Sequence, residues 1–232
     1  DSFFLPEAVR ELRLQSVSRS EAPTSVTGAS CYYGFSLFNG RPGVVYHAIG
    51  RNGATYSQYT SERFVRQLSL LEPAILIISL GTNESYGTHF SASDFITRVD
   101  RFVRLAQRYM PLTTIVLTTP AENYLAARTT VTRRAKGKKR RTTTTVTRGY
   151  TRNVHVGEAA EAILDYAARE GLACFDLYGM TGGAGSCERW QAEGLFSHDR
   201  VHYSASGYRE QGRLLYKALV RSALDYQQRK RK

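Results

Sequence analysis

The chain has 232 residues, is 42% hydrophobic and carries a formal net charge of +12. That length suits one sizeable α/β domain with a small appendage, and the composition excludes global disorder. No run approaches the roughly 18 apolar residues of a membrane span, and the start, Asp1-Ser2-Phe3-Phe4-Leu5-Pro6, lacks the basic and apolar regions of a signal peptide.

Residues 1–42 read as a β-rich segment, the end of an inserted or upstream β-domain. Residues 9–15 fit a strand or a helix, 16–30 are rich in Ser, Thr and Gly, and Asn39-Gly40 is a turn signal after an aromatic strand. From Gly43 to the end the pattern is that of an α/β domain. A short strand is predicted over 44–49, ending in the Gly50/Gly53 turn. An amphipathic helix follows over 61–71, with Phe64, Leu68 and Leu71 at helical spacing. Residues 74–80 form a continuous apolar strand, the pattern of a sheet covered on both faces. A second helix spans 91–109, with Ser91 or Ser93 as its cap and Phe95, Val99, Phe102, Val103 and Leu105 on its apolar face. Residues 113–118 are a third buried strand.

The net charge is local. Residues 128–152 hold ten Lys or Arg and no acid, and residues 229–232 add four more. Without these two segments the chain carries −2. The insert is interleaved with threonines instead of stacking residues, so it reads as a solvated mobile loop and not as a nucleic-acid surface. After it come an Ala-rich helix over 156–170, a strand over 172–177 and a closing helix over 205–226. Alternating strands and helices predict a parallel sheet between helices. Of Cys31, Cys174 and Cys187, the last two flank a Gly-rich loop. They could pair in an oxidising compartment or stay as free buried thiols.

Three motifs fall where an open α/β sheet places its active site, beyond strand carboxyl ends or before the last helix. They are Gly50-Arg51-Asn52-Gly53-Ala54-Thr55, Gly81-Thr82-Asn83-Glu84 and Asp199-Arg200-Val201-His202. Each alone is a common turn. In this order they resemble the SGNH/GDSL hydrolases, a family of serine esterases, over about residues 43–224. Gly53 matches the family's second-block glycine, Asn83 its third-block asparagine, and Asp199 with His202 its last block. Glu84 stands where the family usually has Asp. The Gly-Asp-Ser nucleophile block is not visible.

The resemblance implies a three-layer, flavodoxin-like α/β fold and an acyl-ester hydrolase. His202 would act as the base that moves the serine proton, and Asp199 would fix its tautomer. The Gly53 N–H and the Asn83 amide would form the oxyanion hole. The nucleophile is expected upstream of this chain; Ser2, after Asp1, and Ser36 are lesser candidates. Segments in the style of 40–50 look like those of exported bacterial carbohydrate esterases, which implies a secreted or periplasmic protein. Trp190 and Tyr86 are the aromatic residues placed to meet a sugar face, so an O-acetylated carbohydrate is the expected substrate. Trp190 could equally pack its loop down. No cofactor is implied, and the histidines show no metal-ligand spacing. The alternative is a non-catalytic binding module that keeps the fold without the serine.

Overall fold

The computed structural model describes residues 5, 7, 9, 11–13, 40–134 and 142–230. Most of the predicted β-rich segment 1–42, with Ser2, Ser36 and Cys31, lies outside the described residues. The chain divides into two units, Asp1–Ile49 and Gly50–Lys232. In the first, residues 44–49 carry no strand pairing among the described residues and are exposed, Val44 to 95%. The predicted strand is therefore not formed. A six-residue apolar run has no periodicity that separates a buried strand from an exposed connection.

In chain order the second unit opens with α1 (Tyr56–Tyr59), α2 (Glu62–Ser69), β1 (Ile75–Ile78), α3 (Thr82–Ser85) and α4 (Ala92–Tyr109). It continues with β2 (Thr114–Thr118), β3 (Tyr124–Arg134), β4 (Thr142–Arg152) and α5 (His155–Glu170). It closes with β5 (Ala173–Phe175), α6 (Leu177–Thr181), α7 (Ser186–Ala192) and α8 (Ala205–Lys230). The helix ends follow local chemistry. Ser61 Oγ accepts from the Phe64 N–H at the start of α2, and Ser91 Oγ from the Asp94 N–H at the start of α4. Gly171 stops α5 in the left-handed conformation at φ 65°.

β1, β2 and β5 form a parallel sheet in the order β1-β2-β5, with Ile75 opposite Thr114 and Val116 opposite Ala173. Strand alternation sorts the side chains to two faces. Ile115 and Leu117 join Ile78 and the apolar stripes of α4 and α5, Phe95, Val99, Phe102, Ile163 and Tyr166 among them. On β5, Cys174 packs toward that cluster, whereas the next residue, Phe175, joins Ala121, Leu177 and the α8 residues Leu214, Leu215 and Ala218. Helices therefore flank both faces of the sheet, as the strand–helix alternation predicts.

Where the described residues cover it, the basic insert forms strands in place of the solvated loop predicted for it. β3 and β4 form a two-stranded antiparallel ribbon, registered from Tyr124 opposite Arg152 to Arg134 opposite Thr142. The physical reason is in the threonines: a β-branched side chain stiffens χ1 and favours the pleated strand. Their polarity masks that propensity in a reading by composition.

Candidate active site

Between α7 and α8 the chain makes a small hairpin, closed by the Phe196–Tyr203 bridge and by the Ser197 N–H donating to the His202 carbonyl at 2.8 Å. Its tip is the Asp-x-x-His motif. Asp199 Oδ1 accepts from the backbone N–H groups of Val201 at 3.0 Å and His202 at 2.9 Å. Asp199 Oδ2 lies 2.6 Å from His202 Nδ1. An ionised carboxylate only accepts, so Nδ1 carries the hydrogen, and in the neutral ring Nε2 keeps its lone pair. Burial alone would raise the Asp199 carboxyl. The His202 ring bond and the two backbone donors together outweigh it and hold Asp199 below the usual carboxylate range.

Arg200, within the motif, has φ 55°, a left-handed conformation costly for a side chain with a Cβ. Its surroundings hold it there. Its carbonyl accepts from the Tyr124 N–H at 3.0 Å, and its guanidinium lies over the rings of Tyr124 and Tyr150, 5.5 and 4.8 Å from their centroids.

Gly53 and Asn83 are linked through Ala54, the residue after the Gly53 turn. Gly53 turns the chain at φ 71°, a region glycine enters without strain. Asn83, on α3 just after β1, donates its side-chain amide to the Ala54 carbonyl at 2.8 Å. Glu84 Oε1 accepts from the Tyr56 N–H at 2.6 Å. Two side chains of one helical turn thus clamp the segment that follows Gly53. Burial is the main reason the Glu84 carboxyl is raised above its ordinary range.

No hydrogen bond joins His202 to Asn83 among the described residues. The two halves are tied through the base of the ribbon. Asn153, just past β4, donates its amide to the Ser85 carbonyl of α3 at 2.9 Å and to Asn123 Oδ1 at 3.0 Å. Asn123 precedes Tyr124, whose N–H holds Arg200, and Tyr150 on β4 donates its hydroxyl to the His198 carbonyl at 2.7 Å. Glu122, 1% exposed, accepts from the N–H groups of Gly185 and Cys187, each at 2.8 Å, and lies 3.6 Å from Arg152 Nε. Sequence reasoning missed Glu122, Asn123, Tyr150, Asn153 and Arg200. A signal was present for two of them: Glu122 and Asn123 lie four and five residues beyond the carboxyl end of a buried strand.

Of the two predicted aromatics, Tyr86 caps α3 beside Asn83 and is exposed. Trp190 is 8% exposed, packed with Tyr124, Cys187 and Phe196 and edge-on to Tyr203 at 5.6 Å. Its surroundings are those of a packing residue. Cys174 on β5 and Cys187 on α7 are free thiols in different clusters. Burial pushes them up to about 11 and about 12.

The profile of the GDSL-like Lipase/Acylhydrolase family matches residues 24–210. No curated protein matches the chain. Among solved structures, the chain is similar to a peptidoglycan O-acetylesterase, at 24% identity and a TM-score of 0.58, over 74% of this chain and 45% of that one. It is also similar to a carbohydrate esterase family 3 protein from Talaromyces cellulolyticus, at 12% identity and a TM-score of 0.52, over 75% of this chain and 70% of that one. An acetyl xylan esterase aligns at 16% identity and a TM-score of 0.51, over 73% of this chain and 78% of that one. The chain thus spans less than half the length of the peptidoglycan O-acetylesterase. At these identities the likeness is one of fold.

Proposed function

Because the chain belongs to the GDSL-like lipase/acylhydrolase family, we propose that it is a serine esterase that removes acyl groups, O-acetyl above all, from carbohydrate. The observation that carries this reading is the Asp199–His202 pair, whose 2.6 Å contact leaves Nε2 as the available base. In the proposed reaction, His202 Nε2 takes the proton from a serine hydroxyl as its oxygen attacks the acyl carbonyl. The proton then passes to the departing sugar oxygen, and a water activated by the same nitrogen releases the acyl group. Asp199 orients the ring and stabilises the imidazolium.

The developing oxyanion is met by the Gly53 N–H and by Asn83. The Asn83 amide has two N–H bonds. The one spent on the Ala54 carbonyl fixes the group in place, which suits a preorganised donor. In this reading the serine lies upstream of Asp1, because the family's block order puts a Gly-Asp-Ser nucleophile ahead of Gly53 and the sequence shows no such block. Tyr86 offers an exposed ring beside Asn83 for a sugar face. Trp190 acts through packing. The names of the similar structures, a peptidoglycan O-acetylesterase and an acetyl xylan esterase, support a carbohydrate ester as substrate. With such a substrate the protein would work outside the cytoplasm, secreted or periplasmic. No helix among the described residues is long and apolar enough to cross a membrane.

The test is 4-nitrophenyl acetate and acetylated-xylan hydrolysis by this chain, its Ser2→Ala variant and a longer protein carrying the upstream sequence. Hydrolysis by the longer protein that His202→Ala abolishes is the expected result. A longer protein that binds acetylated glycan and never turns it over would leave the non-catalytic binding module. Strong activity in this chain that survives Ser2→Ala would overturn the upstream serine.

A further inference from the structure

We propose that the outward face of α8 is a docking surface for an anionic lipid bilayer. Tyr216, Val220 and Leu224 enter the headgroup layer, and Lys217, Arg221 and Lys230 pair with lipid phosphates. The surface stands apart from the ester chemistry and does not depend on it.

The apolar side of the helix changes along its length. At about 3.6 residues per turn, Leu214, Leu215 and Ala218 fall on one side of α8. There they pack against Ala121, Phe175 and Leu177. Tyr216, Val220, Ala223 and Leu224 fall on the opposite side and are exposed, Tyr216 to 67% and Leu224 to 53%. Farther along, the side that continues the packed one carries Ser222, Asp225 and Arg229, and every residue from 220 to 230 is exposed. Helices in proteins owe most of their stability to packing of an amphipathic face. In this half of α8 the apolar face points away from the fold.

The charges sort around that face. Lys217 and Arg221 flank it on one side. Lys230 and Tyr226 flank it on the other, with the ammonium 4.9 Å from the ring centroid. Of the two acids of α8, Glu210 is paired with Arg213 and Asp225 lies on the side away from the apolar face. An apolar centre, cationic flanks and an acid at the back make a helix that lies in an anionic interface. Tyrosine suits that boundary, because its ring is apolar and its hydroxyl stays wet.

A second copy of the chain is the less suited occupant. A helix–helix seam through 216, 220, 223, 227 and 230 reads Tyr, Val, Ala, Gln and Lys. Its apolar part ends after about two turns, too short for a coiled coil. Two turns also cover far less than the roughly 800 Å² per partner of a standard interface. Two such faces would bring like charges together.

The chain itself is co-sedimented with vesicles of phosphatidylcholine, alone or with about one part in three of phosphatidylglycerol, at several salt concentrations. The expected result is binding to the mixed vesicles that salt weakens, and little binding to phosphatidylcholine alone. Tyr216→Ser/Val220→Ser/Leu224→Ser changes no charge and should weaken binding on the order of tenfold or more. Lys217→Gln/Arg221→Gln should weaken it on the order of tenfold. Leu112→Ser, at an exposed apolar residue off this face, should change it less than about twofold. Circular dichroism monitors the fold of each variant. Independently of the serine variant, the emission of Tyr216→Trp should shift to the blue on mixed vesicles. No binding to mixed vesicles at low salt, or an unshifted emission, would overturn the proposal. Undiminished binding by the serine variant would show that cations elsewhere hold the lipid, and would overturn it too. A dimer of the wild type that the serine variant dissolves would give the face to a second copy. Binding of soluble polyglutamate that needs the same three apolar residues would give it to an acidic protein.

Discussion

Asn83 reaches across 29 positions of sequence to the Ala54 carbonyl, and the 2.8 Å bond makes one rigid piece of the Gly53 turn and the start of α3. Asn83→Ala removes both the proposed oxyanion donor and that tie. In protein carrying the nucleophile, kcat should fall on the order of 10² to 10³-fold with little change in KM. Steady-state kinetics on 4-nitrophenyl acetate measure the split. A change confined to KM would place Asn83 in ground-state binding.

Asp199 makes stability depend on pH. Its folded-state value is lowered, so its contribution is complete above the ordinary carboxylate value of about 3.9 and is lost as pH falls through the lowered value. The urea midpoint of the wild type should therefore drop more between pH 5 and pH 3 than that of Asp199→Asn. Parallel pH dependences in the two proteins would show that the Asp199 bonds contribute nothing to folding.

Glu84 has the opposite sign. Burial raises its carboxyl, so its ionised form opposes folding, and stability falls as pH rises from the ordinary value to the raised one. Glu84→Gln keeps an acceptor for the Tyr56 N–H and removes the charge. Thermal melts should show it more stable than wild type at pH 7 and about equal at pH 4.

Asn153 is buried and serves three partners: the Ser85 carbonyl, Asn123 Oδ1 and the His155 N–H. Asn153→Ala strands those groups, at a cost of about 2–4 kcal/mol in chemical denaturation. Turnover should fall as well, because the variant cuts the tie between α3 and the ribbon base that holds Arg200. A variant as stable as wild type would show that water replaces the side chain.

The pairing of Cys174 with Cys187 allowed by the sequence is not formed. Both thiols are raised by burial. A thiol reagent at pH 8 should leave them unmodified in native protein and reach them in denaturant. Peptide mapping after a pulse of reagent separates them from Cys31. Rapid native labelling of Cys187 would mean that α7 opens readily.

The regular elements were legible because their signals are long and periodic. The stripe Phe95, Val99, Phe102, Val103 on α4 and the apolar run of β1 each repeat one message over several residues. The Asp199–His202 pair was legible because its spacing closes a local turn, where contact follows from sequence distance. The ribbon was not, since threonine is both polar and β-branched, and the two properties point to opposite readings. Trp190 was ambiguous for a similar reason: an indole suits a sugar and a core equally well, and its packing against Tyr124, Phe196 and Tyr203 is visible only in the fold. Nor could sequence reveal Asn123 and Asn153 as partners, since the whole ribbon separates them.

That separation has a consequence for how such a protein can change. The Asn123–Asn153 bond, with Tyr124 opposite Arg152 directly above it, is a socket whose two ends lie a few ångströms apart whatever is plugged into it. A sheet partner of about 5 Å spacing can be closed by a two-residue turn or by a strand pair of any length. The ribbon is therefore an exchangeable cartridge. The sequence outward of the Ala126–Tyr150 rung can be lengthened, shortened or recharged while Tyr150 keeps its hold on the His198 carbonyl and the Arg200 guanidinium.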